Sequence, residues 1–208
     1  MPKGSPERTA ARREEIIDAC EELYRKVPFK DITVGMIAEC TTFTRASVYN
    51  YFKTKEEIFL ALLQREYELW NVSLEAILEG PVLDPAGFAE ALASSLDDRE
   101  QLLKIMSMNH YDTESNSRHA NLVAFKREYG RALSLVAKCL ERFFPEMSDE
   151  VRRDFVFTLF PMMFGILPYT EVTDAQRSAM DEAGVDYVFM SAHELVRNSA
   201  LRLLTSGR

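Results

Sequence analysis

The sequence predicts an all-α fold, on three observations. Segments with apolar residues at i, i+4, i+7 and i+8 recur along the chain, and alternating apolar–polar segments are almost absent. Gly and Pro, eight each, cluster between those segments. Helix-opening signals stand at their heads: Thr54 with Glu57, Asp84 before Pro85, Ser148 before Asp149 and Glu150, and Thr173 with Gln176.

The first helix is expected from about Glu7 to Lys26, with Ile16, Cys20, Leu23 and Tyr24 on one stripe and Pro28 ending it. Thr33 is an N-cap candidate for a short helix to about Cys40 that turns Val34, Ile37 and Ala38 inward. Thr41-Thr42-Phe43 reads as a tight turn, followed by a short helix from about Thr44 to Tyr51. The Thr54–Glu57 capping box opens a helix carrying Ile58, Phe59, Leu62, Leu63 and Leu69 to about Leu78, before Gly80-Pro81. Further helices are expected at about 85–96, 99–110, 118–144 and 148–167, the last with Pro161 inside it. Residues 111–117 read as polar loop. A short helix follows Thr173, and the last is expected over about 185–204.

At about 150 residues per domain, 208 residues make one domain, or a small module plus a larger one. The formal charge of −8 excludes a whole-chain basic footprint for nucleic acid, though not a local one. Residues 1–55 hold ten Lys/Arg against eight Asp/Glu, and the rest hold fifteen against twenty-five. The acidity therefore lies in the second part of the chain. Three widely spaced cysteines, Cys20, Cys40 and Cys139, suit reduced thiols rather than a disulfide framework or a metal knuckle. The N-terminal stretch lacks the apolar core of a signal peptide, and no uncharged apolar run reaches the ~18–20 residues of a bilayer span. A cytoplasmic protein with no membrane partner is expected.

Three short N-terminal helices, the second and third joined by a three-residue turn, make a helix-turn-helix. Val48 and Phe52 fall on the inner face of the third helix, with Phe43 just before it. That leaves Arg45, Ala46, Ser47, Tyr49 and Asn50 for the other faces. Small side chains at 46 and 47 let the backbone approach a groove floor; Arg45 suits guanine O6/N7 or a phosphate, and Asn50 suits adenine or a phosphate.

Ile37-Ala38 and the run Phe43-Thr44-Arg45-Ala46-Ser47-Val48-Tyr49-Asn50-Tyr51-Phe52-Lys53-Thr54-Lys55-Glu56-Glu57 resemble the signature of the tetracycline-repressor (TetR) family. The likeness covers about residues 8–60; beyond that the chain is similar to the family only in helix number and length. One position departs: the family usually has Gly in the turn where this chain has Thr42, and a shifted or strained turn dihedral is expected there. The resemblance implies a DNA-binding domain at 1–55 and a larger helical ligand-binding and dimerisation domain at 56–208. It implies phosphate contacts from Thr33, Tyr49, Tyr51 and Lys55, with Thr44, Arg45, Ala46, Ser47 and Asn50 completing the DNA-facing set. Tyr49 and Tyr51 suit packing as well, and Lys55 suits an ordinary surface position.

The resemblance also implies a homodimer through the last two long helices, a near-palindromic double-stranded operator, and release by a small effector, most often ending repression. For that effector, mostly apolar or aromatic, the candidates are Met106, His110, Tyr111, Phe125, Tyr129, Phe160, Met163 and Phe164. Met adapts its shape and aromatics line small-molecule pockets, although such stripes at helical spacing are also ordinary core. No catalytic constellation, phosphate-binding glycine loop or helical pair of metal ligands is present, so no enzyme, metal or cofactor is expected. A helical-bundle carrier or enzyme without a DNA-binding role is the alternative.

Overall fold

The computed structural model describes residues 5–108 and 110–205, with backbone alone for 110–112. Its helices are α1 (Pro6–Tyr24), α2 (Val34–Glu39), α3 (Arg45–Val48), α4 (Lys55–Glu79), α5 (Pro85–Ser94), α6 (Glu100–Met106), α7 (His110–Ser115), α8 (His119–Phe143), α9 (Asp149–Thr170), α10 (Asp174–Glu182) and α11 (Ala192–Thr205). A 3-10 turn at Phe29–Asp31 joins α1 to α2, and no strand occurs among the described residues. Two units emerge: residues 1–67 with 109–129, and residues 68–108 with 130–208.

The caps behave as local chemistry dictates. Ser5, Thr33, Thr44, Asp84, Ser148 and Thr173 each accept a first-turn amide in the side chain. Such a bond satisfies one of the amides that a helix start leaves open, at about 1 kcal/mol each. The Thr173–Gln176 capping box closes in both directions.

In the first unit, Ile16 and Cys20 of α1 are buried with Ile37 of α2, Val48 of α3, and Ile58, Phe59 and Leu62 of α4. Tyr24 and Phe29 meet Phe59 edge-on, at centroid distances of 5.0 and 4.8 Å. Arg65 of α4 binds Glu14, Asp18 and Glu21, one face of α1, at 3.4, 2.5 and 2.6 Å. Burial pushes the Cys20 thiol far above its ordinary pKa, so it stays protonated and inert.

In the second unit, Phe88 of α5 packs against Phe143, Phe144 and Phe155. Helix α11 packs on α5 and α9 through Val196, Ala200 and Leu204, spaced one turn apart and buried. The fully buried Trp70 donates from Nε1 to Ser95 Oγ at 2.9 Å and lies beside Phe160.

Outside the recognition segment, four elements differ from the sequence reading. Residues 111–115, read as loop, belong to helix α7, and the helix expected to run to 110 ends at Met106. Helix α9 continues past Pro161 and Pro168 to Thr170. The final helix begins at Ala192, because Gly184 (φ +66°) stops α10. There the Gly184 amide donates to Asp181 O and the Val185 amide to Met180 O, the double bond of a left-handed C-terminal stop. Ser191 and Glu194 then cap α11 reciprocally: the Glu194 amide donates to Ser191 Oγ, and the Ser191 amide to Glu194 Oε2.

Candidate nucleic-acid interface

Helix α2 starts at Thr33, whose Oγ1 accepts from the Met36 amide at 3.2 Å. Its end is tied by Thr41, whose hydroxyl donates to Ala38 O and accepts from the Phe43 amide. The turn is then fixed from outside: Thr42 donates both its amide and its hydroxyl to Glu15 Oε1 of α1, each at 2.7 Å. No non-glycine residue described has a positive φ, so Thr42 sits in ordinary backbone. The expected strain is absent, and a carboxylate from α1 shapes the turn instead.

Thr44 opens α3 by accepting from the Ser47 amide at 3.2 Å, and its hydroxyl lies 3.0 Å from Ser47 Oγ. The α-helical part is one turn. Asn50 and Tyr51 then donate three residues back, to Ser47 O and Val48 O, so the expected helix to Tyr51 tightens after Val48. Val48 and Phe52 are buried at 0% and 1% exposure, while Thr44, Arg45, Ala46 and Asn50 are exposed, and Ser47 and Tyr49 half-buried. Core and solvent faces are thus segregated as the spacing requires. Arg45 Nη2 approaches the Tyr49 hydroxyl at 3.4 Å, with the guanidinium 5.8 Å from the ring centroid.

The remaining DNA-facing candidates are differently placed. Thr33 is exposed. Tyr51 is 6% exposed and its hydroxyl accepts from Arg12 Nη1 at 3.2 Å. Lys55 donates to Phe29 O and Ile32 O at 2.9 and 3.0 Å, with its ammonium over the Phe29 ring. Two of its three ammonium hydrogens are therefore committed to the loop before α2.

The start of α4 holds a contact that sequence reasoning missed. The Glu57 amide donates to Thr54 Oγ1, one half of the capping box. The return bond goes to the amide of Lys53 rather than Thr54, at 2.7 Å. The Glu57 carboxylate, 1% exposed, also accepts from the Arg118 amide, Nε and Nη2. Burial pushes the Glu57 carboxyl up, but the Arg118 guanidinium with the Lys53 and Arg118 amides holds it below its ordinary value overall.

Of the effector candidates, Met106, Phe125, Phe160 and Met163 are buried, and Tyr129 and Phe164 half-buried. His110 and Tyr111 fall among the residues whose side chains are not described. Phe125 and Tyr129 belong to the first unit, where both rings meet Tyr67; Met106, Phe160, Met163 and Phe164 belong to the second. A cleft of about 380 Å³ in the second unit is lined by other residues, among them Leu96, Leu103, Leu167, Glu171 and His193. Among the described residues, no three His, Cys, Asp or Glu are placed to hold a metal ion, and no single helix is long and apolar enough to cross a membrane.

A capped three-helix head that presents one exposed helix face, joined to a larger helical body, defines the class of helix-turn-helix regulators. Residues 16–62 match the family of bacterial regulatory proteins called the tetR family, and residues 64–208 match the tetracyclin repressor-like C-terminal domain. The chain therefore belongs to the TetR family of bacterial regulatory proteins. It is 28% identical over 68 residues to the HTH-type transcriptional repressor Rv1474c of Mycobacterium tuberculosis, covering 33% of this chain and 36% of that protein. It is 30% identical over 59 residues to the HTH-type transcriptional regulator QacR of Staphylococcus aureus, covering 28% of this chain and 31% of that protein. These matches therefore span about a third of each relative. Across 100% of both chains, the fold resembles that of the fatty acid degradation regulator FadR from Bacillus halodurans, at TM-score 0.59 and 16% identity.

Proposed function

We propose that the chain binds a near-palindromic operator as a homodimer, represses from it, and leaves it when a small, mostly apolar or aromatic effector occupies the C-terminal domain. The observation that carries this reading is the segment Arg45–Phe52, α3 and the turn after it, in which Arg45, Ala46 and Asn50 stand exposed while Val48 and Phe52 are buried. In the major groove Arg45 would take a guanine edge, and Ala46 and Ser47 would allow close approach. Thr33, Thr44, Tyr49, Asn50 and the third hydrogen of Lys55 would meet phosphates, while Tyr51 would act through Arg12. The two recognition helices would lie about 34 Å apart, one turn of duplex.

The partner copy would cover α9 and α11. Phe157 and Tyr169 of α9 are exposed, and Leu195 and Leu203 of α11 stay half-buried beside the buried Val196, Ala200 and Leu204. The close-packed Met106, Phe160 and Met163 would admit an effector only by repacking, which unbranched Met side chains allow. An effector acts here only by binding the released conformer more tightly than the DNA-bound one. The working division is a DNA-binding domain over 1–55 and a regulatory domain over 56–208. The protein would work in the cytoplasm, without catalysis.

The test is a gel shift with DNA flanking the protein's own gene. A discrete shift, outcompeted by unlabelled specific duplex and not by bulk DNA, supports the reading. No shift of any duplex at micromolar protein would leave a helical carrier or enzyme in its place.

A further inference from the structure

We propose that Arg118, far outside the helix-turn-helix, is a positioning residue for DNA recognition, which it serves by clamping the chain that leaves the recognition helix. The proposal rests on the DNA-binding reading above and names a part of its machinery.

The clamp is built from few atoms. Arg118 Nε donates to Glu57 Oε1 at 2.6 Å and Nη2 to Glu57 Oε2 at 2.8 Å, the two-pronged grip of a guanidinium on a carboxylate. Nη2 also donates to the carbonyl of Tyr51 at 2.9 Å, and the Arg118 amide donates to Glu57 Oε1 at 3.0 Å. Two residues earlier, Asn116 O accepts the Thr54 hydroxyl at 3.0 Å. On the other side, Glu57 Oε2 holds the Lys53 amide at 2.7 Å. The turn between α7 and α8 thus fixes the main chain at Tyr51 and Lys53 and the side chain of Thr54. These residues directly follow the segment that carries Arg45, Ser47, Tyr49 and Asn50.

That segment needs outside support. Its α-helical part is Arg45–Val48 only, and a single turn has no stability of its own. Glu15 fixes its front through Thr42, Val48 and Phe52 anchor its underside, and Arg118 fixes its exit. Without the Arg118 side chain, the buried Glu57 carboxylate would keep only the amides of residues 53 and 118 among these partners, and the Tyr51 carbonyl would lose its guanidinium donor. Arg118 lies within the stretch matched by the C-terminal domain, not in the matched 16–62. A recognition domain cut at the end of the helix-turn-helix therefore lacks one of its own supports.

The experiment uses the full chain and two probes: a duplex enriched from a random pool by the unmodified protein, and a shuffled version of it. Arg118→Ala is expected to lose tenfold or more in affinity for the enriched duplex and to lower the enriched-to-shuffled ratio. Arg118→Lys should recover only part, since one ammonium cannot span both carboxylate oxygens and the carbonyl. Adding Glu57→Gln to Arg118→Ala should cost little more, because the pair acts as one unit. Hydrogen exchange should speed up at residues 49–53 while the buried turns of α1 stay protected, which separates lost positioning from unfolding. Unchanged affinity and ratio in Arg118→Ala would overturn the proposal. So would a loss of both affinities in proportion to the unfolded fraction. If the unmodified protein enriches no duplex, the DNA-binding reading falls as well, a different result from the other two.

Discussion

Replacing Thr42 by Gly separates two accounts of the helix-turn-helix turn. A strained turn with a left-handed dihedral at position 42 would be relieved by Gly, with a gain of about 1 kcal/mol. The structure has no such dihedral, and it gives Thr42 two bonds to Glu15 at 2.7 Å. Gly keeps the amide bond but loses the hydroxyl bond. A hydrogen bond to a carboxylate contributes about 1.5–3 kcal/mol when shielded, and about 0.5–1 at an exposed site such as Thr42. Gly also adds about 0.5–1 kcal/mol of unfolded-state entropy. Thr42→Gly should therefore destabilise the chain by about 1–2 kcal/mol. In urea unfolding followed by circular dichroism at fixed protomer concentration, the midpoint should fall by about 0.5 M, taking a slope of about 3 kcal/mol/M. In a Glu15→Ala background the same substitution should cost less, because the hydroxyl bond is already gone. A midpoint that rises with Thr42→Gly would refute the unstrained turn.

Three further outcomes follow from other contacts. Glu57→Gln should cost about 2–3 kcal/mol at neutral pH, less than the ~3–5 kcal/mol of a fully buried pair because Arg118 is about half exposed. The folded Glu57 pKa is depressed, so its contribution is full above the ordinary carboxylate range and is lost as pH falls through the folded value; acid titration of the variant should show a shallower loss. His193 lies between Asp97 and Glu90, and chiefly the Asp97 hydrogen bond raises its pKa. Its contribution is full below about 6.5 and disappears as pH rises through the folded value, so His193→Asn should destabilise by about 0.5–1 kcal/mol at pH 5.5 and by nothing at pH 9, read from thermal melts. Ser95→Ala should cost about 1 kcal/mol by removing the hydroxyl that accepts from the buried Trp70 indole, read from urea unfolding.

Much of the fold was legible because its signals are local. Thr33, Ser148 and Thr173 mark helix starts in one sequence window, and the Val48–Phe52 spacing identifies the inner face of the recognition segment. The expected start at 185 rests on the apolar Val185, Val188 and Phe189, which are exposed and precede the helix. Gly184 and the Ser191–Glu194 capping box carried the right answer in plain view. Residues 111–115 read as loop because their polar composition hides a short helix. In the DNA-facing set, the exposed Arg45 and Asn50 follow from helical spacing alone. The engagement of Tyr51 by Arg12, of Thr42 by Glu15 and of Glu57 by Arg118 does not, because those partners lie 39, 27 and 61 residues apart and no periodicity reports them. The buried Met106, Phe160 and Met163 show why a Met/Phe-rich stretch marks core more directly than it marks a site.

The account turns on α3 reading base edges, and selection from a random duplex pool tests that directly. The unmodified protein should enrich two half-sites related by a dyad, about one helical turn apart. Reselection with Arg45→Ala should lose preference at one base pair in each half-site, while Tyr49→Phe weakens all sequences alike. Enrichment of the same bases by Arg45→Ala would contradict it.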